Sequence, residues 1–322
     1  MITQIRVDGL RGILAGELRE LTSLTVLVGP NGCGKSTILD GLLIGASPDS
    51  GAVQNQIASR RPPVEGQRWL LWQGELESAT ITVRTDDQQV RECQVSLTSP
   101  RDPNASLQFR YSVNKPNRTG QPEPRPSFGP PPNALDGIGD VRVIDPRASG
   151  GQTPFHDLYS RTAARGAKRD AESVIASLLP GFNRIEILTE RGKPALHAFY
   201  EGYSHPVELL GDGIRLLLRL SLELASPKGS FLMLEEPEVQ LHPAAIRNCA
   251  KVIWAAVRHG TQVVLTTHSL DMIDSLIGEA TDAELSELSM YRLALRGGEL
   301  SSSRLNGSEV ALARTSIEED LR

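Results

Sequence analysis

Four short stretches carry residue types whose spacing suits phosphate chemistry. In Gly29-Pro30-Asn31-Gly32-Cys33-Gly34-Lys35-Ser36-Thr37, four residues separate Gly29 from Gly34 and Lys-Ser follows at once, the spacing of a phosphate-binding loop. Glycines let the chain curl so that successive N–H groups point at phosphate oxygens. A helix opening at Lys35 adds its N-terminal amides and positive dipole end. Lys35 would neutralise the β- and γ-phosphates of a nucleoside triphosphate, and the Ser36 hydroxyl would ligate Mg²⁺. The second stretch is Phe231-Leu232-Met233-Leu234-Glu235-Glu236-Pro237, an apolar run ending in two carboxylates. Glu235 is expected to hold the metal, commonly through a water, and Glu236 to take a proton from the water attacking the γ-phosphate. The run Gln262–Thr267 then delivers His268, a candidate to bond the γ-phosphate and hold that water. The fourth stretch, Leu210-Gly211-Asp212-Gly213-Ile214-Arg215, is either a plain turn and helix cap or a second anion-binding helix start. In the latter case it would meet a nucleotide held by another subunit.

These groups need a rigid frame, and the surrounding sequence supplies one. Leu24–Val28 reads as a buried strand, and Ile38, Leu39, Leu42 and Leu43 form one apolar stripe on the helix that follows the glycine loop. Phe231–Leu234, bounded by Pro227–Gly229 and Pro237, reads as a central strand. Open α/β sheets collect ligands at the C-terminal ends of such strands. Met1–Gly9 alternates as a strand, and Ser47–Gly51 reads as a loop. From about Trp69 to Val113 alternating patterns predict an antiparallel meander. Asn114–Asn133 holds seven prolines and reads as a surface loop or a polyproline docking segment. Val141–Asp145 returns to a core strand. His156–Leu179 is a helical stretch whose Arg161, Arg165, Lys168 and Arg169 form a solvated face or a phosphate-backbone contact. A hairpin over Arg184–Leu188 and Ala195–Tyr200 precedes a leucine-rich helix. The expected organisation is one domain across 1–322, with a β-meander lobe at 55–113, the proline-rich loop at 114–133 and a helical lobe at 156–225.

Composition excludes several classes. A net charge of −5 argues against a globally basic nucleic-acid binder, and 4% aromatic content advertises no stacking surface for single strands. Cys33, Cys93 and Cys249 lack metal-ligand spacing and suit a reducing compartment. No signal peptide and no apolar run of membrane-spanning length is present, so the expectation is a cytoplasmic protein.

The glycine loop, the Gly211–Gly213 turn before a leucine-rich helix, the strand ending in Glu-Glu-Pro and the strand ending in Thr-His-Ser occur in that order. That order resembles the ABC-type ATPase heads of the class that includes SMC, RecF and the OLD nucleases. Glu236-Pro237-Glu238-Val239-Gln240-Leu241-His242-Pro243 is similar to the RecF/OLD continuation rather than to the transporter dimer loop. The resemblance implies an α/β P-loop NTPase fold, with an ABC-like sheet flanked by helices and an antiparallel β-meander insertion. It implies ATP and Mg²⁺ as ligands and a head-to-tail homodimer. Each ATP would lie between Gly29–Thr37 of one chain and Gly211, Asp212 and Gly213 of the other. The chain departs from the class in the signature turn, which loses a serine and gains Asp212, and in Glu235, where aspartate is usual. The γ-phosphate-sensing glutamine is left open among Gln54, Gln56, Gln67 and Gln73. No Toprim nuclease domain, long coiled coil or zinc-hook cysteine pair follows from the sequence, so a nuclease or other effector is expected to be a separate protein. The role implied is an ATP-gated clamp or sensor in DNA repair or phage defence, with DNA a possible partner and no membrane. The alternatives are the ATP-binding subunit of a transporter and a nucleotide-dependent interaction protein that hydrolyses poorly.

Overall fold

The structure, a computed structural model, describes residues 1–60, 67–99, 106–115, 134–145, 153–225, 227–239, 241–316 and 320–321. Nearly all of the proline-rich segment, and Gln240, lie outside the described residues. In chain order the elements are β1 (Ile2–Leu10), β2 (Ile13–Arg19), β3 (Leu24–Val28), α1 (Lys35–Ala46), α2 (Ser50–Arg60), β4 (Ser78–Thr85), β5 (Val90–Leu97), β6 (Leu107–Asn114) and β7 (Val141–Ile144). They continue with α3 (Phe155–Ala164), α4 (Lys168–Leu178), β8 (Phe182–Glu190), β9 (Lys193–Tyr200), β10 (Tyr203–Pro206), α5 (Asp212–Leu224), β11 (Phe231–Glu235) and α6 (Pro243–Arg258). The last are β12 (Gln262–Thr266), α7 (Leu270–Glu279), α8 (Asp282–Leu285), β13 (Leu288–Arg296), β14 (Glu299–Asn306) and α9 (Gly307–Ser316). Among the described residues no helix is long and apolar enough to cross a membrane.

Among the described residues eleven strands make one mixed sheet, in the order β6-β5-β4-β1-β2-β14-β13-β3-β12-β11-β7. From β13 to β7 the neighbours are parallel, whereas β6-β5-β4-β1-β2 is antiparallel throughout. The two halves are written differently in sequence. Parallel strands are covered on both faces and so read as unbroken apolar runs. Every residue of β3, β11 and β12 is buried. Strand β6, at the far edge, alternates between partly covered and exposed positions.

The two-residue period of a strand decides what each site residue faces. Phe231 and Met233 of β11 pack in the core that contains Ile38, Leu39, Leu42 and Leu43 of α1. Leu232 and Leu234 pack in the opposite core with α6 and α7. Glu235, next in the first series, therefore points to the α1 side, where Ser36 waits. Helix α1 lies close on the sheet: a Cβ on Gly45 would fall 2.6 Å from a Val83 methyl. Its far end is held by Arg91 of β5, which donates to the carbonyls of Gly45 and Ser47 and stacks over the Tyr111 ring at 4.1 Å. A buried cation on the last carbonyls of a helix both satisfies them and opposes the negative dipole end.

Three sequence expectations are revised. The meander begins at Ser78 rather than at residue 55, because Ser50–Arg60 is helical. Asp49 turns the expected Ser47–Gly51 loop into a helix start by accepting from the Gly51 and Ala52 amides at 2.9 and 3.1 Å. The stretch His156–Leu179 is two helices, broken where Gly166 takes a φ of 78°. Strand β10 extends the expected hairpin to a three-stranded sheet, which with α3, α4 and α5 encloses a third core.

Candidate functional site

The loop from Gly29 to Gly34 turns through left-handed backbone at Gly29, Gly32 and Gly34. A Cβ at Gly29 would lie 2.5 Å from the Leu293 carbonyl oxygen and 2.8 Å from Cys33 Sγ, so only glycine fits. A Cβ at Gly32 would meet nothing within 4 Å. Helix α1 starts at Gly34 with no side-chain cap and no acidic residue in its first turn, so its first amides are available to an external anion. Lys35, buried, folds back over the loop and donates to the carbonyls of Gly29 at 2.7 Å and Pro30 at 3.1 Å. Uncapped amides and a resident ammonium fit the phosphates of a nucleotide.

The metal-side groups converge as the strand period requires. The Ser36 hydroxyl donates to Glu235 Oε1 in a short hydrogen bond. The other carboxylate oxygen of Glu235 is paired with Arg60, at the end of α2. Arg60 also pairs with Asp40 Oδ1 at 2.6 Å, and Arg11 reaches Asp40 Oδ2 at 3.1 Å. Asp145, just beyond β7, lies 3.9 Å from Arg60 Nε. Burial works against the charge of Arg60, but Asp40, Glu235 and Asp145 outweigh it and hold the guanidinium above its ordinary value. Among the described residues no group of three or more His, Cys, Asp or Glu side chains could hold a metal by itself. A magnesium ion here would share its ligands between Ser36, Glu235 and phosphate oxygens. Sequence reasoning missed Arg60, Asp40, Asp145 and Arg11. Asp40 did leave a signal, a carboxylate one helical turn after Ser36 on an otherwise apolar helix.

Glu236 takes a left-handed φ of 46°, a conformation that strains a side chain with a Cβ and clusters at functional sites. Its amide is held by the Thr266 carbonyl and hydroxyl, both at 3.1 Å. The turn points the Glu236 carboxylate towards His268, with Oε1 3.7 Å from Nε2. The carboxylate pair and the histidine predicted from sequence thus meet at one end of the parallel strands.

The remaining candidates lie elsewhere. Gly211 caps α5 without a side-chain bond, and Asp212 is 78% exposed and paired with Arg215. Helix α5 packs on α3, α4 and α6. Of the four glutamines, Gln54 donates to the Leu107 carbonyl, Gln67 accepts from the Leu107 amide, and Gln56 accepts from the Val143 amide. These three tie α2 and the following turn to strand edges; Gln73 sits in a 3₁₀ turn with a φ of 48°. In the basic stretch of α3 and α4, Arg165 pairs with Asp140, and Lys168 with Glu172 and the Tyr159 ring, as on a solvated, charge-balanced face.

The sheet order, the glycine loop on α1 and the carboxylates at the end of β11 define a P-loop ATPase head. Solved structures of the same fold are SMC heads. The Smc head bound to the C-winged helix domain of ScpA aligns with a TM-score of 0.56 at 16% identity, covering 95% of this chain and 97% of that one. The SMC head domain from Thermotoga maritima gives 0.51 at 14%, covering 95% and 99%. The Smc head with an extended coiled coil, bound to the C-terminal domain of ScpA derived from Pyrococcus furiosus, gives 0.59 at 12%, covering 99% of each chain. No curated protein matches the chain. Residues 24–76 and 133–274 match the model of the family described as "AAA domain, putative AbiEii toxin, Type IV TA system". The chain belongs to that family.

Proposed function

We infer that the chain binds ATP with Mg²⁺ on Gly29–Thr37, hydrolyses it, and works as an ATP-gated homodimer. The observation that carries this reading is the meeting of Ser36, Glu235, Glu236 and His268 at one sheet end beside an uncapped helix start. Bound magnesium would offset phosphate charge and polarise the γ-phosphoryl group. Lys35 leaves the Gly29 and Pro30 carbonyls for phosphate oxygens, exchanging neutral acceptors for charged ones. Glu236 accepts the proton of the attacking water, and His268 steadies that water from the opposite side. Gly211, Asp212 and Gly213 meet the γ-phosphate of the nucleotide on a second copy. The resemblance to RecF and OLD heads, with the toxin–antitoxin wording of the family, supports a role in DNA repair or anti-phage defence. A separate effector such as a nuclease would act downstream, and DNA is one possible trigger.

A slower, switch-like ATPase is the second reading, and one observation favours it. Arg60 is ion-paired with Glu235 and so competes for the same carboxylate that a metal would need. Phosphate release by the wild-type protein, together with the mass of Glu236→Gln in solution with and without ATP and Mg²⁺, tests both readings. The first expects steady turnover and an ATP-dependent dimer of the variant. Binding without turnover supports the switch, and no binding overturns both. Adding duplex DNA to the trapped dimer then asks whether DNA is retained.

A further inference from the structure

Beyond the carboxylate pair, the segment after Glu236 carries a third acidic side chain to which no role is yet given. Glu238 Oε1 accepts from the Thr267 hydroxyl at 2.5 Å and from the His268 amide at 3.2 Å. Thr267 Oγ1 in turn accepts from the Ser269 amide at 2.9 Å, and Ser269 Oγ caps α7 by accepting from the Met272 amide at 3.2 Å. One carboxylate oxygen thus anchors the whole turn that presents His268. The other, Oε2, is buried with no hydrogen-bond partner among the described residues. Burial pushes the Glu238 carboxyl above its ordinary range, with the Thr267 hydroxyl and His268 amide pulling the other way. A fold tolerates a half-satisfied buried acid at a cost, and nothing about core packing asks for one here.

The backbone explains what the group achieves. The Glu236 amide is tied to Thr266, and two residues on Glu238 is tied to Thr267 and His268. The segment after β11 is therefore joined at two successive points, first to the end of β12 and then to the turn that follows it. This double tie holds the backbones that carry Glu236 and His268 side by side, and their side chains approach to 3.7 Å. That contact is too long to be a hydrogen bond.

We propose that Glu238 is a positioning residue: it clamps the Thr267–Ser269 turn and thereby fixes His268 opposite Glu236 for ATP hydrolysis. The proposal rests on the hydrolytic reading above, so its test has one arm that needs no turnover. Hydrogen exchange of the peptide spanning Thr267–Ser269 should accelerate by about tenfold or more in Glu238→Ala. Glu238→Gln, which keeps a carbonyl acceptor, should retain most of the protection. Thr267→Val, which removes the hydroxyl donor, gives an independent route to the same loosening should Glu238→Ala fold poorly. In the turnover arm, Glu238→Ala should lower kcat by roughly tenfold or more with KM for ATP nearly unchanged, since His268 acts on the attacking water. Glu238→Gln should recover kcat to within about threefold of wild type. In a His268→Ala background Glu238→Ala should cost little more, because the two residues act in series. Unchanged exchange in both Glu238→Ala and Thr267→Val would overturn the clamp, as would a Glu238 effect of equal size with and without His268. If the wild type releases no phosphate, the hydrolytic reading fails, and the exchange arm still decides the clamp.

Discussion

Two helices of this molecule begin in the same way and end up in opposite circumstances. Helices α1 and α5 both start after a glycine N-cap with no side-chain bond to the first amides. At α1 the first turn carries no acid, Lys35 lies buried over the loop, and Ser36 is bonded to a buried carboxylate. At α5 the first turn carries Asp212, the neighbouring Leu209 is 77% exposed, and a Cβ on Gly211 or Gly213 would meet nothing within 4 Å. An uncapped helix start attracts anions only while its positive potential is unspent. The α1 start keeps that potential and adds an ammonium; the α5 start spends part of it on its own aspartate. The first can bind a phosphate within one chain. On the dimer reading proposed above, the second would need another copy to close over it.

The largest effect expected follows from the first half of this contrast. Lys35→Ala removes the only cation over the α1 loop that the motif supplies, and ATP binding should fall beyond detection by equilibrium titration. Unchanged affinity would mean that α1 is no more an anion site than α5. Next comes Glu236→Gln, which keeps the shape of the side chain and removes its basicity. Turnover should fall about 10²–10⁴-fold with ATP still bound. Its mass with ATP and Mg²⁺ should double; a variant that stays monomeric leaves the α5 turn without its proposed partner.

How much of this was legible in the sequence divides along the same line. The α1 site was readable because each component is local: a glycine loop, a lysine and a serine within nine residues, and carboxylates ending apolar runs. Burial on both faces keeps β3, β11 and β12 mostly apolar, so their ends could be placed in the sequence, and with them Glu235, Glu236 and His268. Arg60 could not be read. It comes to Glu235 across 175 residues, on a helix whose start depends on Asp49 rather than on apolar periodicity. Glu238 stands in the family-like segment, yet the positioning role proposed for it lies in bonds to Thr267 and His268, which the pairing of β11 with β12 brings within reach. Strand β14 was also missed. Its exposed, serine-rich sequence lacks the alternation by which strands are recognised.

A smaller effect sharpens the second half of the comparison. Asp212 is held by Arg215 on its own helix, so in the free chain its charge is already partly answered. In the dimer the same carboxylate would face the γ-phosphate. Asp212→Ala, in the Glu236→Gln background, should tighten ATP-dependent dimerisation by about threefold, a modest gain because exposed charges are screened. Sedimentation at several protein concentrations reads it. A looser dimer would show that the Asp212–Arg215 pair supports the α5 face instead of weakening it.

The smallest effect concerns a helix start that needs nothing from outside. At α8 the Thr281 hydroxyl accepts from the Glu284 amide while the Glu284 carboxylate accepts from Thr281, a reciprocal cap. Arg258, bonded to the same carboxylate, draws its pKa down to about 2 from 4.5, with the Thr281 bonds adding to the effect. A carboxylate with a lowered folded-state pKa stabilises the fold above its unfolded value and loses that contribution as pH falls through the folded one. Glu284→Gln should therefore lower the unfolding temperature at neutral pH by about 1–2 °C, and the gap to wild type should close as pH drops from 4.5 towards 2. ATP affinity should not move, since this amide set is spent on its own side chains. An altered affinity would show that the state of one helix start is communicated to another. The contrast between α1 and α5 would then have to be argued from the whole sheet, not from the residues at each turn.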